Sequence, residues 1–342
     1  STCPSTLKVS LVVTVLNEAH SLPALLDSIA AQTRLPDEVI VCDGGSQDNT
    51  VALLRAEQRL PLRVIEAPGA NIARGRNLAI AAAQHPLIAC TDAGVRLDPH
   101  WLEHLCAPFT LDNEGRITPH AVAGFFIPDP HTPFEVAMGA TVLPAQEDIV
   151  IRRFMPSSRS IAFTREAWAA VGGYPEWLDY CEDVVFDLAL RRRFGEFVFV
   201  PSAVAHFRPR GSLRAFFKQY YQYARGDGKA NLFFRRHLVR YSTYLLGLPI
   251  LTMGILAGSS PVRLLSLGML ALGAFAYTRG PYRRLRAWSA SLSPWQRVKA
   301  SALVPVIRLV GDVAKMVGYP VGVWWRLRHR HTLARLEHST LP

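Results

Sequence analysis

Apolar and polar positions alternate in a repeating rhythm along the first two hundred residues. Val9–Val15 is an unbroken β-rich apolar run, after which Leu22, Leu25, Leu26 and Ile29 recur at i, i+3, i+4 and i+7. That order predicts a strand followed by an amphipathic helix, with Ser21 as its N-cap and Pro23 in its first turn. The rhythm continues: strand Glu38–Cys42, helix Val51–Gln58 entered through Asp48-Asn49-Thr50, strand Leu62–Glu66, helix Ile72–Gln84, then strand Leu87–Thr91 ending at Asp92. Strand–helix alternation predicts a mostly parallel sheet with helices on both faces. Such sheets bind ligands at the carboxyl ends of their strands, where Asn17-Glu18, Asp43-Gly44-Gly45-Ser46 and Asp92 fall. Residues 119–160, rich in proline and turn formers, read as long loops over that edge. Helical spacing resumes over Arg165–Val171 and Val184–Arg193, followed by a strand Phe197–Val200 and an aromatic helix Leu213–Ala224.

A different pattern follows. Tyr241–Val262 is uncharged over 22 residues and Leu264–Thr278 over 15 more, with Ser259-Ser260-Pro261 suited to a turn between them. The first stretch matches a bilayer's thickness, and the second does so if Arg263 snorkels. A transmembrane helical hairpin over 241–278 is expected; a buried hairpin of a soluble domain is the alternative. Ala302–Trp325 places Arg308, Asp312 and Lys315 at i, i+4 and i+7, the stripe of an interfacial amphipathic helix. The expected order is thus an α/β domain over 1–224, a basic linker helix over 225–240, the hairpin, and a basic segment over 279–342 ending in the tail Arg326, Arg328, Arg330, Arg335.

Charge sharpens this division. Residues 1–224 hold 20 Lys/Arg against 24 Asp/Glu, whereas residues 225–342 hold 18 against 3. Arg225, Lys229, Arg235, Arg236 and Arg240 flank the hairpin on one side, and Arg279, Arg283, Arg284 and Arg286 on the other. The positive-inside rule puts both flanks in the cytoplasm, at the inner (plasma) membrane. Anionic lipid headgroups are the nearer partners of these charges, and no nucleic-acid partner is expected. The 342-residue chain, 49% hydrophobic with a mean hydropathy of +0.13, is no disordered or repeat protein. Five cysteines (Cys3, Cys42, Cys90, Cys106, Cys181) without a C-x-x-C pair read as reduced thiols rather than a disulfide framework or zinc site. The N-terminus lacks a signal peptide's charged start and apolar core, so membrane contact is expected from the rear.

Asp43-Gly44-Gly45-Ser46-Gln47-Asp48-Asn49-Thr50 follows a strand and opens a helix. Its glycines suit a tight turn near a ligand, and Asp43 offers an acceptor to an imide N–H; a capped β-α turn is the plainer reading. Glu182-Asp183 opens a helix, where carboxylates also complement the helix dipole. Pro156-Ser157-Ser158-Arg159-Ser160 could hold an acceptor phosphate.

Taken together, Val-x-x-x-Leu-Asn-Glu, Asp-Gly-Gly-Ser-x-Asp-x-Thr, Ala-Arg-Gly-Arg-Asn-Leu-Ala and a strand running into Thr-Asp-Ala resemble the nucleotide-sugar half of family 2 glycosyltransferases, from about Val9 to Gly228. The resemblance implies a GT-A fold followed by a membrane-associated helical region, and an inverting transfer from a nucleoside diphosphate sugar (a UDP- or GDP-sugar). It implies that Asp43 bonds the base, with Glu18, Asn17 and the Thr14–Leu16 backbone lining the nucleoside pocket. Arg74, Arg76 and Asn77 stand where the family contacts the nucleotide, and the two arginines suit a diphosphate through bidentate forks; a basic helix face is the plainer reading. Asp92 opens a D-x-D-like element for Mg²⁺ or Mn²⁺, but here reads Asp92-Ala93-Gly94, without the second carboxylate. His206 resembles a histidine that completes such a metal site. Glu182 and Asp183 resemble the catalytic E-D pair, Asp183 being the general base. Gln219-Tyr220-Tyr221-Gln222-Tyr223 is similar to the Q-x-x-R-W of processive members without its Arg and Trp; Gln219, Tyr220 and Tyr223 would touch a lipid-linked or saccharide acceptor, or form an interfacial belt. The competing readings are a nucleotidyltransferase, for which Leu16-Asn17-Glu18 is no glycine-rich loop, and a non-catalytic membrane module whose nucleotide-sugar domain has decayed.

Overall fold

The computed structural model describes residues 7–330, so Cys3 and Arg335 lie outside the described residues. The chain forms two compact units: residues 7–129 with 146–208, and residues 130–145 with 209–330. This boundary differs from the expected one at 224, and the second unit borrows a segment from the middle of the first.

In the first unit, β1 (Val9–Val15), α1 (Leu22–Ala30), β2 (Glu38–Asp43), α2 (Thr50–Ala56), β3 (Leu62–Glu66), α3 (Ile72–Ala82) and β4 (Leu87–Asp92) follow the sequence rhythm closely. After them come β5 (Val95–Leu97), α4 (Trp101–Cys106), and a small hairpin of β6 (Thr110–Leu111) and β7 (Ile117–Thr118). Next is β8 (Ala121–Pro128); α5 (Pro133–Val142) belongs to the second unit, and β9 (Ile161–Thr164), α6 (Arg165–Ala170), α7 (Glu182–Phe194) and β10 (Val198–Phe207) complete the first. Eight strands make one sheet in the order β3-β2-β1-β4-β9-β8-β10-β5. β1, β2, β3 and β4 pair in parallel, as do β8 and β10, while β9 and β5 run antiparallel to their neighbours. The sheet is therefore mixed.

Leu11, Val13, Val15, Leu87 and Ala89 face one core with Leu22, Leu25, Ile29 and Trp101; Val12, Ile40, Ile88 and Cys90 face another with Ala79, Ile80, Phe163 and Phe186. A strand buried on both faces reads as a continuous apolar run, which is why β1 and β4 were visible. Cys42, Cys90 and Cys106 are buried thiols in these cores; burial pushes Cys42 and Cys106 up to about 11 and Cys90 up to about 12, so all three stay protonated.

Residues 119–160 are not all loop. β8 sits deep in the sheet between β9 and β10, and Gly124 N donates to Ser160 O at 2.9 Å. A Cβ on Gly124 would stand 1.9 Å from Ser160 Oγ and 2.6 Å from Ala203 O, so only glycine admits this approach. β10 is longer than Phe197–Val200; its register with β8 shifts between Phe199 and Val204, across Pro201, which has no N–H for the ladder. Ser21 does not cap α1 with its side chain: its hydroxyl donates to the Glu18 carboxylate and carbonyl instead.

The second unit is helical: α5, α8 (Leu213–Lys229), α9 (Phe234–Ser242), α10 (Leu248–Ala257) after a π turn at Thr243–Gly247, α11 (Ser260–Trp288) and α12 (Pro294–Arg328). The expected linker helix over 225–240 is broken, because α8 ends at Lys229 and Asn231 and Phe233 take left-handed φ angles of 56° and 53°. Phe234–Ala257 and Ser260–Trp288 are long and apolar enough to cross a membrane, with 0% and 6% of their apolar windows buried.

The charged stripe on α12 is not a solvent face, contrary to expectation. Asp312 accepts from Arg240 Nε at 2.7 Å and from the Tyr244 and Tyr277 hydroxyls. Arg308 lies 4.2 Å over the Tyr277 ring and Lys315 4.9 Å over Tyr220. Charges at i, i+4 and i+7 form an inward seam here because partner helices supply the phenols and the opposite charge.

Beside that seam, Gly318 and Gly322 let α12 approach α8 backbone to backbone, and Gly311 makes room for the Phe216 ring. A Cβ on Gly322 would stand 2.0 Å from Arg225 O. Gly322→Ala is expected to cost about 3 kcal/mol, since helix backbone has no rotamer with which to yield. In a detergent melt the control Gly268→Ala, whose Cβ would meet nothing within 4 Å, should be neutral or slightly stabilising. Equal melting of the two variants would refute the close packing.

Candidate active site

The carboxyl edge of β1 and β2 is a laced pair of turns. Asn17, with φ 56°, accepts from Gln47 N at 2.8 Å, while Asn17 N and Glu18 N donate to Ser46 Oγ and Thr50 Oγ1, each at 2.8 Å. Ala19 N donates to Asp48 Oδ2 at 3.1 Å. Asp43, buried at the end of β2, accepts from Gly45 N and Ser46 N at 2.9 Å each and from the Ser46 hydroxyl. Thr14 lies one residue before the end of β1, its methyl against Gly75 of α3. Thr14, Asn17, Glu18 and Asp43 are thus gathered at one edge, as the sequence spacing predicts. The same hydrogen bonds show that Asn17 and Asp43 also hold the turns themselves in shape.

A second constellation joins α3, β4 and α7. Arg76 is 3% exposed and donates from Nη2 to Asp92 Oδ1 at 2.8 Å and from Nη1 to Glu182 Oε1 at 2.7 Å, with its guanidinium 5.2 Å from the Tyr174 ring centre. It is not an exposed fork awaiting a diphosphate: burial without two carboxylate partners would be prohibitive, and both arms are used. The expected nucleotide role of Arg76 is corrected accordingly. Asn77 is corrected likewise, for its amide donates to Tyr174 O and Glu176 and accepts from Trp168 Nε1 and Tyr174 N, at 2.8 to 3.1 Å, tying α3 to the segment before α7. Arg74 is exposed, and its backbone N–H is capped by Asn71 at 2.9 Å.

Cys181, left-handed at φ 64°, starts α7 and places Glu182 and Asp183 in its first turn. Glu182 is buried against Arg76, and burial together with the neighbouring Asp183 charge pushes it up to about 7. It therefore positions the site rather than meeting substrate, a correction to its catalytic reading. Asp183 stays part-exposed and accepts from Val184 N at 2.9 Å. One turn on, Asp187 is wholly buried and neither of its oxygens has a hydrogen-bond partner among the described residues. Burial, then the Asp183 charge, pushes its pKa well above the ordinary carboxylate value, while the nearby Arg76 opposes the rise.

Asp92 ends β4 and His206 lies one residue before the end of β10, both at the carboxyl edge of the sheet. Asp92 is paired with Arg76 and lies 3.6 Å from Arg159 Nε, and the position of a second carboxylate is Gly94. His206 stands on β10, three strands from β4 in the sheet order and opposite Arg96 of β5, the strand that begins three residues after Asp92. Burial, then the Arg96 charge, lowers its pKa. No group of three or more His, Cys, Asp or Glu side chains that could hold a metal exists among the described residues. Asp92, with an arginine at each oxygen, is the carboxylate that the Asp92-Ala93-Gly94 turn offers a divalent cation.

Gln219, Tyr220 and Tyr223 lie on α8 in the second unit. Gln219 Nε2 donates to the Tyr223 hydroxyl at 2.8 Å, and the Tyr220 ring packs 4.5 Å from Phe216 and 5.6 Å from Tyr223. These contacts are helix packing. Sequence reasoning did not single out Tyr174 or Asp187 as site residues, because what unites them is Arg76, and nothing in the spacing of residues 76, 174 and 187 announces a shared neighbourhood.

Residues 10–131 match the family model described as Glycosyl transferase family 2. The O-antigen chain rhamnosyltransferase RfbN of Salmonella typhimurium is 27% identical over 191 residues, 52% of this chain and 59% of that protein. The undecaprenyl-phosphate 4-deoxy-4-formamido-L-arabinose transferase of Yersinia enterocolitica is 36% identical over 105 residues, 29% of this chain and 32% of that protein. The chain thus spans well under two thirds of the length of these curated relatives. Among solved structures, the mannosyltransferase PcManGT from Pyrobaculum calidifontis in complex with GDP-Man and Mn²⁺ shares the fold, with a TM-score of 0.59, 19% identity, and coverage of 91% of this chain and 87% of that one.

Proposed function

We propose that this chain, which carries a glycosyl transferase family 2 domain of GT-A fold, is an inverting glycosyltransferase that moves a sugar from a nucleoside diphosphate sugar to a hydroxyl of a lipid-linked or saccharide acceptor at a membrane. The observation that carries the reading is the Arg76 bridge, which fixes the end of β4, a ligand-binding edge, against the helix start that bears Asp183. In this mechanism the acceptor oxygen attacks the anomeric carbon, and the bond from that carbon to the diphosphate breaks. The electron pair leaves on the phosphate oxygen, and the hydroxyl proton passes to Asp183. Asn17, Glu18 and Asp43 would receive the nucleoside at the neighbouring edge, UDP or GDP being the candidate carriers.

The names of the two relatives, one acting on O-antigen chains and one on undecaprenyl phosphate, support a lipid-linked acceptor. So do two apolar helices of spanning length. Both basic flanks lie on the cytoplasmic side of the inner membrane in this reading, where nucleotide sugars are made. Native membranes holding the full chain should consume one UDP- or GDP-sugar from a panel and transfer its sugar to an extracted lipid or glycan. Binding of a nucleotide sugar without any turnover would instead favour the non-catalytic membrane module, and neither binding nor turnover would remove the reading.

A further inference from the structure

We propose that Arg159 is the cation that meets the donor diphosphate in this chain, with Asp92 acting as the anchor that holds it rather than as a metal ligand. The inference rests on the donor site proposed above and goes beyond it by naming what neutralises the diphosphate. Arg74, Arg76 and Arg159, all near this edge of the sheet, differ physically. Arg76 is buried, with both arms bonded to carboxylates. Arg74 is exposed on the outer turn of α3. Arg159 combines a fixed position with partial exposure: its side chain is 24% exposed, and Nε lies 3.6 Å from Asp92 Oδ2.

Its backbone is pinned on both sides. Arg159 O accepts from Thr91 Oγ1 at 2.9 Å, one residue before Asp92. The next residue, Ser160, is buried, donates to Ala203 O at 2.8 Å and accepts from Trp101 Nε1 at 2.8 Å. The guanidinium stacks 4.7 Å from the Phe207 ring centre and 5.9 Å from that of Phe126, and Nη1 reaches Ser157 Oγ at 3.2 Å. A planar, permanently charged fork held over aromatic faces is the form in which arginine recognises phosphate. The 3.6 Å pair with Asp92 is longer than the two bonds that Arg76 makes to its carboxylates. The departure at Gly94 leaves Asp92 as the carboxylate of this turn, and its two oxygens face Arg76 and Arg159.

Equilibrium binding tests this directly. Calorimetric titration of the detergent-solubilised full chain with UDP, GDP and the matching monophosphates should find one diphosphate that binds in excess chelator within about threefold of its affinity in Mg²⁺ or Mn²⁺. Arg159→Gln should weaken that diphosphate by roughly ten- to hundredfold, the monophosphate by less, and Arg159→Lys should fall between. Loss of diphosphate binding in chelator, or an unchanged affinity in Arg159→Gln and Arg159→Lys, would overturn the proposal while leaving the transferase reading intact. If no nucleotide binds the wild-type chain under any condition, the donor-site reading fails and this inference falls with it.

Discussion

Asp183→Asn will lower turnover by roughly 10²- to 10⁴-fold while leaving donor affinity nearly unchanged. Asparagine keeps the shape of the side chain and its bond from Val184 N, so the start of α7 stays as it is, but the amide cannot take the acceptor's proton. The two neighbouring acids cannot substitute. Glu182 is buried and held by Arg76 at 2.7 Å, and Asp187 is wholly buried one turn further on. The loss should therefore appear in kcat, with the donor dissociation constant moving by no more than about threefold, less than about 1 kcal/mol. Single-turnover kinetics with the donor identified by the panel make the separation. A variant with near-normal kcat would remove Asp183 from the base role, and one with donor binding lost would make it a donor ligand instead.

Periodicity in the sequence reaches far in the first half of the first unit and much less far beyond it. β1, α1, β2, β3 and β4 each carry a signal within a short window, apolar runs for the strands and helical spacing for α1, so the pattern and the structure coincide within a residue or two. β8 and β9 are different. Their stability comes from strands far along the chain, β8 lying beside β10, and the small residues Ala121, Ala123 and Gly124 that allow tight pairing carry no strand signal of their own. The same holds for α12, where the three charges at helical spacing are visible in the sequence but the partners that turn them inward, Arg240, Tyr244 and Tyr277, lie 72, 68 and 35 residues away. At the site, the motifs deliver the edge residues Asn17, Glu18, Asp43 and Asp92. What they do not deliver is which charges face substrate and which face one another. Arg74 and Arg76 are two residues apart on one helix, and only the burial of Arg76 tells the structural cation from the exposed one.

Removing that buried cation should destabilise the fold in a way that depends on pH. Arg76→Met keeps the length and apolar stem but leaves Glu182, 7% exposed, and Asp92, 26% exposed, without their shared partner. Breaking a buried ion pair from one side costs about 3–5 kcal/mol, and the partial exposure of Asp92 favours the lower end. The sign with pH follows from Glu182. Burial, then the Asp183 charge, raises its pKa in the folded chain to about 7, against an ordinary 4.5, while Arg76 opposes that rise. A carboxyl raised on folding holds its proton in the folded state and releases it in the unfolded one, so its contribution is most favourable below about 4.5 and declines as pH climbs toward 7. In the wild type the decline ends there. In Arg76→Met the opposing charge is gone, the pKa of Glu182 rises further, and the decline continues into the alkaline range; Asp187, raised in the same direction and also lowered by Arg76, adds to it. Melting temperatures of the full chain in detergent, taken from pH 5 to 8.5, should therefore diverge, with the variant nearest to wild type at pH 5 and furthest from it at pH 8.5. Adding Glu182→Gln to Arg76→Met should recover much of the alkaline loss, because the amide has no charge to strand. A deficit that shrinks as pH rises, or a double variant no better than the single one, would mean that Arg76 is not the counter-charge that holds β4 and α7 together.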